Sequence, residues 1–351
     1  MKKLLKALLI LVLVIVLAAG GLLGFLTVTE YRPEAVEALS FFDMPEQPLP
    51  ALTEGQSLSI LSWNIGYAGL GAASDFFMDG GEGVSADEET VRHYLADIAA
   101  QITIGDYDMV LLQEVDTDSK RTYRIDESVP LSIGQSVFAY NYSCPFVPIP
   151  WPPMGRVYSG LMTSSEYRID SAQRVALPCP FSWPLRTANL KRCLLVSRLP
   201  VGESGKELVL VNLHLEAYDD GEGKIAQTKQ LADLVQEEYA KGNYVIAGGD
   251  FNQTFPEVMA EYPMINPDYW AAGVLENDAL PEGFSFFYDL EVPSCRLLNQ
   301  PYEPLDVAHT QYYVIDGFLV SPNVKMERVM TLDLGFADSD HNPVNLRVTL
   351  K

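Results

Sequence analysis

The sequence predicts a layered α/β domain behind one membrane-crossing helix. Three observations carry the prediction. Apolar runs that end on polar side chains recur along the chain, and a helix-periodic stretch separates the first two. No linker and no internal repeat divides residues 57–351, so they read as one unit. A single, almost wholly apolar run stands at the N-terminus.

That run covers residues 7–28 and follows Lys2, Lys3 and Lys6. About twenty such residues cross a bilayer core. The lysines stay in the cytoplasm, which places everything after Val28 outside. Residues 1–28 are therefore read as a single-pass signal-anchor in the cell membrane, with a cleaved signal peptide and a secreted domain as the alternative. No cysteine follows the small residues Ala18-Ala19-Gly20, so a lipoprotein anchor is not indicated. Residues 29–56 are rich in Glu and Pro and read as a spacer between membrane and domain.

The domain opens with Leu58-Ser59-Ile60-Leu61-Ser62-Trp63-Asn64, which alternates like a strand and ends on an amide. A Gly-rich loop leads to Ser85 and Glu88, which make a capping box. Val91, Tyr94, Leu95, Ile98 and Ile102 then fall on one helical face, with His93 off the stripe. The strand Met109-Val110-Leu111-Leu112-Gln113-Glu114 ends on a carboxylate. Residues 120–184 are loop-rich and aromatic, with one further strand over 157–163. Residues 191–198 and 207–215 form a hairpin around Gly202-Glu203-Ser204-Gly205, and its second strand ends on His214. Leu231, Leu234, Val235 and Tyr239 mark the next helix. It leads into Val245-Ile246-Ala247-Gly248-Gly249-Asp250-Phe251-Asn252, a strand covered on both faces that breaks at two glycines. Residues 254–309 hold seven prolines and little periodicity, the mark of a functional or disordered loop. Residues 312–320 return to strand with Asp316 embedded in it. Asp338-Ser339-Asp340-His341 and a last strand close the chain.

A net charge of −23 suits solubility and repels a polyanion such as duplex DNA unless cations intervene. Cys144, Cys179, Cys193 and Cys295 contain no C-x-x-C pair, which argues against zinc. Outside the cell they could pair, and Cys144 with Cys179 is the first candidate among three pairings.

Asn64, Glu114, His214, Asp250 with Asn252, and Asp340 with His341 all stand at strand ends. Any one alone reads as a hydrogen-bonded core group. Together they would waste desolvation energy unless gathered in one site. Clustered carboxylates repel, and a hard cation with oxygen ligands is the expected remedy.

The segments Ser62-Trp63-Asn64, Leu112-Gln113-Glu114-Val115, Asn212-Leu213-His214-Leu215, Gly249-Asp250-Phe251-Asn252, Ile315-Asp316 and Ser339-Asp340-His341 resemble, in order, the motifs of the endonuclease/exonuclease/phosphatase superfamily. That superfamily includes type I deoxyribonucleases and neutral sphingomyelinases. The resemblance implies a four-layer α/β/β/α sandwich with two mixed β-sheets over residues 57–351, and a metal-dependent hydrolase of phosphate esters. It implies Mg²⁺, or Mn²⁺ in its place, with Glu114 as principal ligand, Asn64 beside it and Asp340 close by. It also implies that Asp250 handles a proton, that His214 and Asn252 bind phosphate oxygens, and that Asp316 orients His341. Val314 stands where members often have a basic residue, and residues 159–165 match the family's Gly-containing strand only loosely. Arg121, Arg156 and Arg296, with Arg124, are loop arginines suited to substrate phosphate. The expected protein is a monomeric, membrane-anchored phosphoesterase whose substrate is a phospholipid head group or small phosphoester. A nuclease is the second reading, and a non-catalytic binding module on the same fold is the third.

Overall fold

Apolar residues on both faces of several strands demand a cover on each side, and the chain supplies two helices for two sheets. The computed structural model describes residues 1–219, 221–275, 280–304, 306 and 308–351. The elements begin with α1 (Lys2–Val28), β1 (Val36–Ala38), β2 (Phe41–Phe42), β3 (Ser57–Asn64), α2 (Glu88–Ile104), β4 (Met109–Asp116), β5 (Gln135–Val147) and β6 (Gly155–Ser165). Next come β7 (Ser171–Ala176), β8 (Cys193–Val201), β9 (Lys206–His214), α3 (Glu222–Ala240), β10 (Tyr244–Asp250), β11 (Gln253–Thr254), α4 (Val258–Glu261) and β12 (Gly273–Val274). The chain ends with β13 (Ser285–Phe287), β14 (Cys295–Arg296), β15 (Tyr312–Tyr313), β16 (Asp316–Val320), β17 (Val324–Thr331) and β18 (Val344–Leu350).

One sheet runs β1-β7-β8-β9-β10-β16-β13 and the other β17-β18-β3-β4-β6-β5-β2. Both are mixed, because β9 with β10 and β3 with β4 are parallel while their neighbours are antiparallel. Ile60, Met109, Leu111 and Leu346 of one sheet meet Leu208, Leu210, Ile246 and Phe318 of the other in the central core. Val91, Leu95, Ile98 and Ile102 of α2 pack on the outside of the second sheet. Leu231 and Val235 of α3 cover the outside of the first. The four-layer sandwich expected from the motifs is thus the fold observed.

Period-2 alternation now decides where the strand ends point. Ile60 faces the central core, so Ser62 and Asn64 do too. The same count runs from Leu210 to Asn212 and His214, and from Ile246 to Gly248 and Asp250. Register places Asp250 directly beside both His214 and Asp316. Below them, Gln113 Nε2 donates to Asn212 Oδ1 at 2.8 Å, and Asn212 Nδ2 donates to the carbonyls of Leu112 and Met162. This polar bridge ties the two sheets together one layer beneath the strand ends.

Five expectations change. Residues 120–184 hold three strands and not one: β5, β6 and β7 run through the stretch read as loop, and two register shifts against β6 break the alternation of β5. Asp87, not Ser85, caps α2: its extended backbone lets the carboxylate accept from Thr90 N at 2.9 Å, and Glu88 is already inside the helix. The segment 29–56 is no free spacer, since β1 and β2 extend the two sheets and Leu52 is fully buried. All four cysteines are free thiols: Cys144 is buried in β5 while Cys179 is exposed in a loop, so the Cys144–Cys179 pair does not form. The strand over 312–320 is two, with β15 paired to β14 and Asp316 opening β16.

Gly249 shows why the glycine pair is needed. Its φ is +151°, and a Cβ there would lie 1.9 Å from the Leu213 carbonyl oxygen. Gly249→Ala is expected to cost about 3 kcal/mol or more of stability, from backbone overlap on top of conformational strain. Urea denaturation measures it, and an unshifted midpoint would contradict the β9–β10 pairing.

Candidate active site

The polar strand ends converge on a cavity of about 390 Å³ at one edge of the sandwich. Asn64 sits at its centre. Its Nδ2 lies 3.0 Å from Asp250 Oδ2, 3.2 Å from Glu114 Oε1 and 3.5 Å from His341 Nε2. Its Oδ1 accepts from Gly66 N, and Ser339 Oγ donates to its carbonyl. One amide therefore ties β3, β4, β10 and the 338–341 loop together.

Glu114 reaches the cavity through a bulge. Pairing of β4 with β6 shifts between Leu112 and Val115, and Glu114 takes φ +55°. Left-handed backbone at a non-glycine residue is unfavourable and recurs where a bulge re-aims a side chain. Without the bulge, Glu114 would share the outward face of Leu112.

Asp316 Oδ2 contacts His341 Nδ1 at 2.8 Å and accepts from Ser294 Oγ at 2.7 Å. Ser294 Oγ in turn accepts from the backbone N–H of Ile315 and Asp316, which fixes the carboxylate. His341 is held from behind by Trp63 Nε1, which donates to its carbonyl at 2.8 Å. Its Nε2 points to Asp250 Oδ2 at 3.8 Å and Asp340 Oδ2 at 3.9 Å. Burial opposes charge on His341, but Asp316 and its neighbours outweigh it and hold the imidazole well above its ordinary pKa.

His214 is the opposite case. Burial, then Arg192 and His341, push it well below its ordinary value, so it is neutral. Its Nε2 lies 3.5 Å from Asp250 Oδ2, and its Nδ1 is buried with no hydrogen-bond partner. Burial and Asp316 raise Asp250 to about 7. Burial, with Glu114 and Asp79 nearby, raises Asp340 to about 6, and burial raises Asp79 to about 6. Glu114, Asp340 and Asp79 are thus three carboxylates facing one cavity.

Asn252 lines the cavity, but its Nδ2 donates to Leu215 O at 2.9 Å. That bond must be exchanged before the amide can reach a ligand. The loop arginines divide. Arg121 lines the cavity, yet its guanidinium grips Asp116 through two 2.9 Å bonds and lies 3.5 Å over the Tyr67 ring. Arg296 also lines it, but donates to the carbonyls of Gly71, Ser74 and Gln300, holding the Gly-rich loop in place. Arg156 binds Asp118 at 2.6 Å and does not line the cavity, and Arg124 binds the same carboxylate. The sequence reading missed Arg192, which lines the cavity and donates to Glu216 and to the His214 carbonyl. The hairpin held the signal: Leu194 pairs with Leu213, so Arg192 must lie across from Leu215 and its neighbours. Tyr67, Asp79, Tyr218 and Trp270 were missed as well, being supplied by loops.

The sequence profile of the Endonuclease/Exonuclease/phosphatase family matches residues 61–341. The chain belongs to this family. No curated protein sequence matches it. Among solved structures, it is similar to an endonuclease/exonuclease/phosphatase from Beutenbergia cavernae DSM 12333, with TM-score 0.53, 18% identity, and coverage of 84% of this chain and 72% of that one. Truncated TDP2 from Caenorhabditis elegans gives TM-score 0.51 at 17% identity, over 84% of this chain and 99% of that one. A functionally unknown conserved protein from Enterococcus faecalis V583 gives TM-score 0.53 at 13% identity, over 84% and 100%. At such identities these likenesses establish the fold.

Members of the endonuclease/exonuclease/phosphatase family are generally hydrolases of phosphoester bonds that use divalent metals, and some are not catalytic. The donors present here fit such an ion. Glu114 and Asp340 face each other closely enough for Glu114 to raise the Asp340 carboxyl, a repulsion a cation relieves. Cys295 Sγ lies with Asp340 and His341 in one group of close donor atoms, so a buried thiol and an imidazole stand beside the carboxylate oxygens.

Proposed function

We propose that residues 57–351 form a metal-dependent phosphoesterase held outside the cell membrane by α1, with a phospholipid head group or small phosphoester as substrate. The observation that carries this reading is the assembly of Asn64, Glu114, His214, Asp250, Asp340 and His341 around one cavity, with Asp316 behind His341. Glu114 and Asp340 would hold Mg²⁺, or Mn²⁺ in its place; Asn64, whose Oδ1 is taken by Gly66 N and whose Nδ2 faces Glu114 and Asp250, would position those carboxylates and not ligate the ion. A cation there supplies positive charge against the phosphate oxygens. The chain does the rest. Cationic His341, fixed by Asp316, and neutral His214, beside Asp250, bind and stabilise the oxygens of the pentavalent transition state. Asp250, placed by Asn64, exchanges a proton with the attacking water or the leaving oxygen. Asn252 adds a donor once its bond to Leu215 opens.

A nuclease uses the same chemistry, but the acidic surface disfavours it. A binding module would be expected to lack a catalytic position, and none is missing. The test is a substrate panel on the full chain in detergent with Mg²⁺: sphingomyelin, inositol phosphates, plasmid DNA and an aryl phosphodiester. Hydrolysis of the phospholipid or small esters supports the reading; DNA cleavage alone replaces it with the nuclease, and no turnover with intact ligand binding replaces it with the module.

Anchoring by α1 rests on its length and apolar composition, which a signal sequence shares. Protease added to intact cells is expected to release the domain while the N-terminus stays protected. Recovery of the domain from cytosol would overturn the topology.

A further inference from the structure

The end of α1 is seated on the wall of the cavity. Leu26 is buried against Cys144, Val147, Met154 and Val157, with Phe77, Tyr142 and Ala188 around it. Of these, Val147, Met154, Phe77, Tyr142 and Ala188 also line the cavity. One layer of side chains separates the exit of the helix from the cavity. Trp183 Nε1 donates to Thr27 Oγ1 at 3.1 Å and fixes a second loop to the same turn.

The cavity itself has two poles. Asn64, Glu114, His214, Asp250 and His341 form the polar one. Phe77, Met78, Val147, Ile149, Met154 and Phe181 form the apolar one, on the side of α1. Small polar phosphoesters have no use for such an end, whereas a hydrocarbon chain does.

The loops flanking α1 expose large apolar groups. Residues 148–153, between Val147 and Met154, carry Ile149 and Trp151, which is 88% exposed. The second loop carries Trp183 and Leu185, 54% and 68% exposed. Clustered exposed tryptophans mark an interaction surface, and indole favours the membrane–water interface. Directly after the helix, Arg32, Arg186 and Lys191 gather on the buried carboxylate of Glu30. This cationic cluster on a chain of net charge −23 suits lipid phosphates. Continuity of all these groups with α1 selects the bilayer as the surface they meet.

We infer that the face bearing Ile149, Trp151, Trp183 and Leu185 seats in the bilayer that holds α1, and that the cavity's apolar pole takes the hydrocarbon chain of a lipid phosphoester from that bilayer. The choice of substrate rests on the phosphoesterase reading; the seating and the chain pocket do not.

Three measurements on the full chain in phosphatidylcholine vesicles test it. Brominated acyl chains should quench Trp151 and Trp183, and Trp151→Phe and Trp183→Phe should each remove part of that quenching. Absence of quenching overturns the seating. A phosphatidylcholine with a diazirine in its acyl chain, with EDTA present, should label Phe77 and Met78, which line the cavity and belong to neither bilayer-seated loop; labelling confined to α1 and the loops bearing Trp151 and Trp183 overturns the chain pocket. With Mg²⁺, a long-chain lipid phosphodiester should show kcat/KM at least ~10²-fold above a water-soluble analogue of its head group, the gain expected from burying about four methylenes. Equal values overturn the lipid as substrate. No hydrolysis of either ester, with quenching and labelling intact, overturns the phosphoesterase reading and the lipid as substrate, and supports the membrane seating and chain pocket.

Discussion

Removal of divalent metal is expected to abolish hydrolysis, with Mg²⁺ or Mn²⁺ restoring it. Glu114 is the reason. The chain accepts left-handed backbone at this residue to turn its carboxylate into a cavity already holding Asp340 and Asp79. Without a cation, that arrangement combines desolvation with repulsion. Glu114→Gln keeps the shape and Asn64's neighbour but removes the charge, and should lower turnover at least ~10²-fold, the scale of losing one transition-state charge contact. Stability gives a second readout. A cation at 100 times its Kd should add about 2.7 kcal/mol to the wild type and little to the variant. Thermal denaturation with and without Mg²⁺ measures this. Undiminished turnover in EDTA would end the metal-dependent mechanism.

The sequence made β3, β4, the β8–β9 hairpin, β10, both long helices and the polar strand ends legible because burial imposes a simple period; β5, whose register shifts twice against β6, and the short β7 did not show it and were read as loop. Counting in twos from Ile60, Leu210 and Ile246 suffices to place Asn64, His214 and Asp250 on one face. Three kinds of feature escape that count. A bulge breaks the period, so nothing in Leu112-Gln113-Glu114 announces that Glu114 turns inward. Loops carry no period, so Tyr67, Asp79, Tyr218 and Trp270 entered the cavity unannounced. An arginine's role depends on which acceptors surround it, and Arg296 and Arg156 are engaged by carbonyls and by Asp118 in ways no spacing shows. The segment 29–56 misled for a related reason. β1 has three residues and β2 two, too short to show alternation, and pairing to long strands stabilises them.

Asp250→Asn and His341→Ala should each lower turnover at least ~10²-fold, the usual scale for groups that move or hold protons in a transition state. Both meet Asn64, and they lie 3.8 Å apart. Groups acting on one transition state work as a unit, so the double variant should lose less than the product of the single losses. Asp316→Asn should give a milder form of the His341 defect, because Ser294 still positions the side chain while the charge that keeps His341 cationic is gone. Packing makes a competing demand. If these were only satisfied polar groups of the core, each substitution would lower the melting temperature and leave activity per folded molecule unchanged. Measuring turnover and melting on the same proteins separates the two cases. A folded His341→Ala variant with near-normal turnover on the best substrate would refute the role given to His341, whatever the fate of Asp250→Asn.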